Sequence, residues 1–448
     1  MLLRRLLGLP TTAAAASGRF RRGLATAVSR PPWAVIYYTS LVTSPARHAS
    51  FQLAEPPCPS RILFPEHLVD PRPRPGYDSD IIGTVCGHTA ATSGDGLLLL
   101  DFMDARATAP IVATHAASRE RKIAGISTDA DMTRFVCNPL TGQLFRLPDI
   151  DGTKKTAFCR NVGLLTRPAN GHGAPDKYAV AELSEDRRGE EGSFVMRRFL
   201  SETGEWEKLV GLRSPLPLGR RIVIHTHHEV LAFAGRLWWI DLSWGVVSAD
   251  PFSDRPELRF VELPRGSVEP VPTTAKEYTE ALVVQGMCRR VGVSEGRLRY
   301  VEVSQKEPFV LSSSALDGDG SGWTLEHQVP LGRLLANEIG RPWKEQAPWI
   351  GVIDPLNASI VYIIIGDHAH GVDMDRGKVL GSSHLGECEY QPRTILTTYL
   401  TPCVLPPWLV SSKIPSTVYS QQGQYLKQEF VRMCWLVLTG RRIEVILS

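Results

Sequence analysis

The 448-residue chain has no G-x-x-x-x-G-K-[ST] loop, no G-x-S-x-G elbow and no G-x-G-x-x-G run after a strand pattern. Those absences remove the common signatures for phosphate cradling, serine nucleophiles and dinucleotide binding. None of the eight cysteines stands in a C-x-x-C pair. The cysteines therefore read as reduced thiols in a core, not as a disulfide frame or a zinc site. No apolar run approaches the roughly 20 residues of a membrane-crossing helix. Strong charge is also missing. The formal net charge is +3, but residues 1–30 hold six arginines and no acid. Without them, 44 basic residues face 47 acidic ones. A body that close to neutral has no general electrostatic grip on nucleic acid.

Turn formers, by contrast, are plentiful: Gly 38 and Pro 33. They favour many short elements over long helices. The organising stretch is Phe135–Pro148, a buried strand, a turn at Asn138-Pro139-Leu140-Thr141-Gly142, and a half-exposed strand that Pro148 stops. Its parts recur. Gly94-Asp95-Gly96 leads into Leu97–Phe102, Gly235-Arg236 into Leu237–Leu242, and Gly296-Arg297 into Leu298–Val303. Each reads as a strand entered through a glycine turn. Asn138-Pro139, Asp250-Pro251 and Asp354-Pro355 each follow an apolar strand, because Asn or Asp before Pro starts a turn. Their spacings are 112 and 104 residues, or two units of about 50–56 each, the length of kelch-like blades. Gly142, Gly204 and Gly322 open a third recurring element, an outward-facing strand with Phe145, Trp206 or Trp323. The expected fold is all-β, a degenerate β-propeller-like repeat of about six blades. A pair of irregular β-sandwiches is the alternative.

Four regions are expected. Residues 1–30 are Arg-, Ser- and Ala-rich and acid-free, the composition of a transit peptide for mitochondrial import. Chloroplast import is one alternative, and a plain tail on a cytosolic or nuclear protein is the other. Residues 31–80 form a proline-rich segment with one early strand at Trp33–Thr39. Residues 81–420 form the propeller-like domain. Residues 421–448 form a hairpin, Cys434–Leu438 and Ile443–Leu447, that pairs with the early strand and closes the ring. Asp186–Gly192 reads as a solvated hairpin tip, and Leu316–Gly322 as a turn without the downstream acid of a calcium loop.

Two clusters could bind metal. In His225-Thr226-His227-His228-Glu229, His225, His227 and Glu229 share a strand face. In Asp367-His368-Ala369-His370, Asp373 and Asp375 follow closely. Both clusters hold residue types that suit zinc or iron, but a polar sheet face or edge for the first and a polar hairpin loop for the second are the commoner explanations. No catalytic residue and no cofactor is assigned. Cys137 reads as a small core residue, and the tryptophans as blade packing.

Phe135–Pro148 resembles the signature blade of plant F-box-associated and kelch-like propeller domains. The wider chain is similar to the grass-expanded family called domain of unknown function 1618. The segments that carry the likeness are Ala49–Pro57, Gly94–Leu99, Val230–Gly245 and Phe260–Pro264. The resemblance implies a β-propeller-like fold and no established activity. No F-box helices are visible in residues 1–80. The expected role is a non-enzymatic module binding a protein or peptide. A metal-assisted hydrolase or lactonase, using Asp354, Asp367 or His225 at a central channel, is the first rival. A ubiquitin-ligase substrate receptor is the second.

Overall fold

A computed structural model describes residues 30–76, 79–115, 118–122, 124–126, 130–155, 161–168, 173–186, 192–217, 229–267, 284–320, 322–338, 347–385 and 400–416. The first 29 residues, the stretch 417–448, His225 and His227 lie outside the described residues, as does most of the 186–192 tip.

The chain opens with β1 (Trp33–Val42), β2 (Ser50–Gln52) and β3 (Pro59–Pro65). The proline-rich stretch thus holds three strands, not one. Prolines bound these strands or interrupt the segments between them, where no ladder bond is lost. Next come β4 (Ile81–Thr92), β5 (Leu98–Thr108), β6 (Ile111–His115), β7 (Ser118–Arg121), β8 (Gly125–Ile126), β9 (Asp131–Cys137) and β10 (Leu144–Arg146). The first four-stranded antiparallel blade is β4-β5-β9-β10. Four more follow in simple meander order. They are β11 (Val162–Arg167) to β14 (Glu205–Arg213) through β12 (Lys177–Glu185) and β13 (Ser193–Leu200); then β15 (Val230–Phe233), β16 (Arg236–Asp241), β17 (Gly245–Ala249) and β18 (Arg259–Glu262). Then come β19 (Arg289–Ser294), β20 (Arg297–Val303), β21 (Val310–Leu316) and β22 (Trp323–Pro330); and β23 (Trp349–Ile353), β24 (Ile360–Ile365), β25 (His368–Asp373) and β26 (Lys378–His384).

The sixth blade is assembled from both ends of the described chain and is joined to the first by one β1–β4 pairing, Thr39 opposite Gly87. β27 (Thr401–Val404) pairs antiparallel with β1, Trp33 opposite Val404 and Ile36 opposite Thr401. β1 pairs parallel with β3, and β3 antiparallel with β2. First strands pack in order: β4 on β11, β11 on β15, β15 on β19, β19 on β23, β23 on β27, and β27 back on β4. That is a closed ring of six blades among the described residues, so the expected β-propeller-like architecture is present. The ring has a leading end, where first strands begin, and a trailing end, where they stop.

Closure by β27 takes the place expected for the 434–447 hairpin. The reason is position: the chain leaves the fifth blade near residue 385, and Thr401–Val404 already satisfies the edge of β1. A second clamp sits at the trailing end. Asn138 is buried; its Nδ2 donates to the carbonyls of Leu409 (2.8 Å) and Ser412 (3.3 Å). The Ile414 amide donates to Gln143 Oε1 at 2.8 Å, and the Ala49 amide to the Gly142 carbonyl at 2.9 Å. One turn of the first blade therefore holds both ends of the described chain. Gly142 has a positive φ of 70° and lies against the Ala49 carbonyl, where a Cβ would collide.

Blades interlock through apolar faces. Phe64 of the sixth blade packs on Phe102 and Phe135 of the first, with ring centroids 4.2 and 4.9 Å apart. Outer strands add a repeated polar tie. Trp206 Nε1 donates to the Pro148 carbonyl at 2.8 Å, and Trp323 Nε1 to the Glu262 carbonyl at 2.7 Å. Each reaches from an outer strand to the end of the preceding blade.

The Asx-Pro turns need one correction of register. Asn138 and Asp250 both follow third strands, two blades apart. Asp354 follows a first strand, β23, so it is not a third copy of the same station. All three sit at the trailing end, and each caps its own turn: Asp354 Oδ1 accepts from Leu356 and Asn357 amides at 2.8 and 3.1 Å.

Candidate functional site

Of the described members of the two sequence clusters, Glu229, Asp367, His368 and His370 belong to the leading end of the ring, with His370 one step below the β24–β25 turn. Glu229 stands immediately before β15 of the third blade. Arg290, near the start of β19 in the fourth blade, donates from Nε to Glu229 Oε2 at 3.3 Å and from Nη2 to Glu229 Oε1. The same Nη2 donates to the Leu400 carbonyl at 2.7 Å, just before β27 of the sixth blade. One guanidinium thus ties three first strands together. The Glu229 carboxylate is an ion-pair partner of Arg290. The side chains of Arg290 and Glu229 are 8 % and 16 % exposed, so the pair works at low dielectric. Arg289 beside it turns to the Leu242 carbonyl at 3.1 Å and to Glu302 at 3.5 Å.

The second cluster lies on the rim, in the fifth blade. The β24–β25 connection is Gly366-Asp367, a tight turn that lifts Asp367 beside the strand ends. His368 on β25 lies directly opposite His384 on β26. His368 Nδ1 donates to Asp367 Oδ1 at 2.7 Å, and His384 Nε2 to Asp367 Oδ2 at 3.0 Å. The His368 hydrogen bond, with that of His384 behind it, holds the Asp367 carboxyl below the usual range. All three side chains are about half exposed. His370 shares the strand face of His368, with ring centroids 6.1 Å apart. It is buried and hydrogen-bonded through Nδ1 to Ser382 Oγ at 2.6 Å. Burial, then the neighbouring His368, lowers its pKa. His384 was not among the residues singled out from sequence. The signal was available: a hairpin centred on Met374–Gly377 puts His384 across from His368.

Asp373 and Asp375 are not part of this group. Asp373 Oδ1 accepts from the Asp375 and Arg376 amides, both at 3.1 Å, and Asp375 meets His327 Nδ1 at 2.9 Å. Both belong to the turn at the other end of β25. Asp354 is likewise remote from Asp367. They flank opposite ends of β24, about 15 Å of extended strand apart. Cys137 is core: burial pushes its thiol up to about 12. Among the described residues no group of three or more His, Cys, Asp or Glu side chains could hold a metal ion. No helix among them is long and apolar enough to cross a membrane.

Residues 239–362 match the sequence model of the family described as "Protein of unknown function (DUF1618)". The match runs from β16 into β24 and covers Phe260–Pro264 and the last part of Val230–Gly245, two regions on which the resemblance rested. No curated protein matches the sequence. Similar solved structures include a Bacteroides ovatus ATCC 8483 protein assigned as a dipeptidyl aminopeptidase IV, 12 % identical with a TM-score of 0.31. The overlap covers 70 % of this chain and 43 % of that one, so this chain spans less than half the length of that protein. The β-propeller domain of Cps50 (Swd1) from Myceliophteria thermophila is 8 % identical, with a TM-score of 0.28, over 69 % of this chain and 87 % of that one. Saccharomyces cerevisiae Sqt1 is 11 % identical, with a TM-score of 0.26, over 71 % and 68 %. The fold rests on the strand pairing above, not on these loose overlaps.

Proposed function

We propose that the protein is a non-enzymatic interaction module whose leading end binds a protein or peptide. The carrying observation is the Arg290 bridge. It joins the third, fourth and sixth blades, so a structural ion pair ties their first strands together at that end. The polar groups open to solvent lie around it, on the rim, with Asp367, His368 and His384 foremost. First strands tied by an ion pair and edged by exposed polar side chains suit contact with another surface better than turnover of a small molecule. Of the residues a metal-assisted hydrolase would draw on, Asp354 and Asp367 flank opposite ends of one strand, which favours that reading less.

The site of action is proposed to be mitochondrial, on the composition of residues 1–30. Proximity labelling with the full chain and with a D367A/H368A/H384A variant tests the role. Specific neighbours lost in the variant support it; identical neighbour sets, or metal-dependent turnover of a hydrolase substrate panel, count against it. A reporter fused to residues 1–40 tests the location: mitochondrial signal supports it, and chloroplast or cytosolic signal refutes it.

A further inference from the structure

We propose that the leading-end face of the first blade is a binding site for an extended partner peptide carrying Arg-Pro-x-Pro, and that Pro71-Arg72-Pro73-Arg74-Pro75 of this chain occupies it in cis. The inference deepens the reading of the leading end as a peptide-binding surface and rests on it. It starts from register. Asp104 on β5 and Asp131, which begins β9, are directly opposed. Like charges so placed repel, and both side chains are largely covered, 6 % and 15 % exposed. Arg72 answers both. Its amide donates to Asp104 Oδ2 at 2.6 Å, its Nη2 to the Asp104 carbonyl at 2.5 Å, and its Nε lies 3.6 Å from Asp131 Oδ2. A guanidinium suits that task better than an ammonium, because its donors form a rigid planar fork.

The residues after Arg72 are read as well. Arg106, two positions along β5 on the face of Asp104, donates from Nη2 to the Pro73 carbonyl at 2.7 Å. Gly83 lies directly opposite Arg106 on β4, and a Cβ there would fall 2.5 Å from Arg106 Nη1 and 3.4 Å from Pro75 Cδ. Arg72, Pro73 and Pro75 thus each meet a fitted contact, while Arg74, at the variable position, is 88 % exposed. From Asp70 to Gly76 no residue is buried. The hold on this strap is polar, and segments with few buried apolar contacts open at low cost. The vacated face is the costly state, with two opposed carboxylates and no guanidinium between them. Exchange therefore favours an incoming peptide that brings its own arginine.

The test is fluorescence anisotropy of a fluorescein-labelled peptide, with the sequence of residues 69–76, against the full chain. The tethered strap competes at an effective concentration in roughly the millimolar range, so the parent should bind weakly. R72A should bind at least about tenfold more tightly. R72A/D104N/D131N should lose that gain, and so should a peptide with alanine at the Arg72 position. Rim variant D367A/H368A/H384A should bind as the parent does, which separates failure here from failure of the rim reading. Melting curves check folding. If R72A does not fold, hydrogen exchange on the parent replaces it: peptide at roughly millimolar concentration should speed exchange at the Arg72 amide. No gain in R72A, a gain that survives D104N/D131N, or Arg72 exchange unchanged by the peptide overturns the proposal.

Discussion

Asn138 Nδ2 donates to the Leu409 carbonyl at 2.8 Å, joining positions 271 residues apart. The same amide reaches Ser412, while Asn138 Oδ1 caps its own turn through the amides of Leu140 (3.0 Å) and Thr141 (3.3 Å). N138A removes all of these and strands buried carbonyls. A loss of about 2–3 kcal/mol is expected, seen as a lower urea midpoint at unchanged slope. N138D keeps the turn acceptor but sets a carboxylate against two carbonyls, so it should destabilise at least as much. A neutral N138D would show that the link to Leu409 is unimportant.

Glu229 and Arg290 give a second expectation. E229A leaves a buried guanidinium without its carboxylate, at a cost of about 3–5 kcal/mol. E229A combined with R290M should recover much of that loss. Thermal or urea unfolding of the two single variants and the double variant measures the coupling; additive losses would argue against the bridge.

The outer-strand tryptophans should behave alike. W206F and W323F each keep the ring stacked but lose one hydrogen bond to the neighbouring blade, worth about 1 kcal/mol. Equal small falls in the urea midpoint are expected. A negligible change in either would mean that its indole nitrogen adds nothing beyond packing.

Asp95 carries a pH prediction. It sits in the β4–β5 turn and accepts from Ser93 Oγ at 2.5 Å and Thr166 Oγ1 at 2.6 Å. Burial raises its pKa despite those bonds. A carboxyl with a raised folded-state pKa contributes stability fully below its unfolded value, and that contribution is lost as pH rises through the folded value. D95N, which keeps an acceptor oxygen, should therefore gain on the parent at pH 7. The gap should narrow as pH falls toward about 4, the unfolded carboxyl range. Urea unfolding at several pH values checks the trend; a gap that widens on acidification contradicts it.

Much of the fold is legible from short-range chemistry. Glycine turns at Gly96, Gly235 and Gly296 mark first hairpins, and Gly142, Gly204 and Gly322 mark outer strands, because turn residues and alternation are local signals. Blade six was legible only in part: Trp33–Thr39 reads as a ring-closing strand, but its partner is β27. Its β1–β3 pair is parallel, and its first strand lies some 370 residues from its second. The candidate site divides the same way. His368 and Asp367 are neighbours and were visible together; Arg290 meets Glu229 across 61 residues and two blades. Nothing near Glu229 in sequence announces an arginine, so its role as an ion-pair partner had no local sign.

Ring closure by the two ends is the central claim, and one cross-link tests it. Ala34 on β1 lies directly opposite Cys403 on β27, and directly opposed antiparallel residues fall within the Cα separation a disulfide spans, about 4.4–6.8 Å. An A34C chain, refolded under mild oxidation and mapped by peptide mass spectrometry, should contain the 34–403 disulfide. V35C, whose side chain points to the other face, should not link to Cys403. Absence of the A34C link, or an equal yield from V35C, would contradict closure in this register.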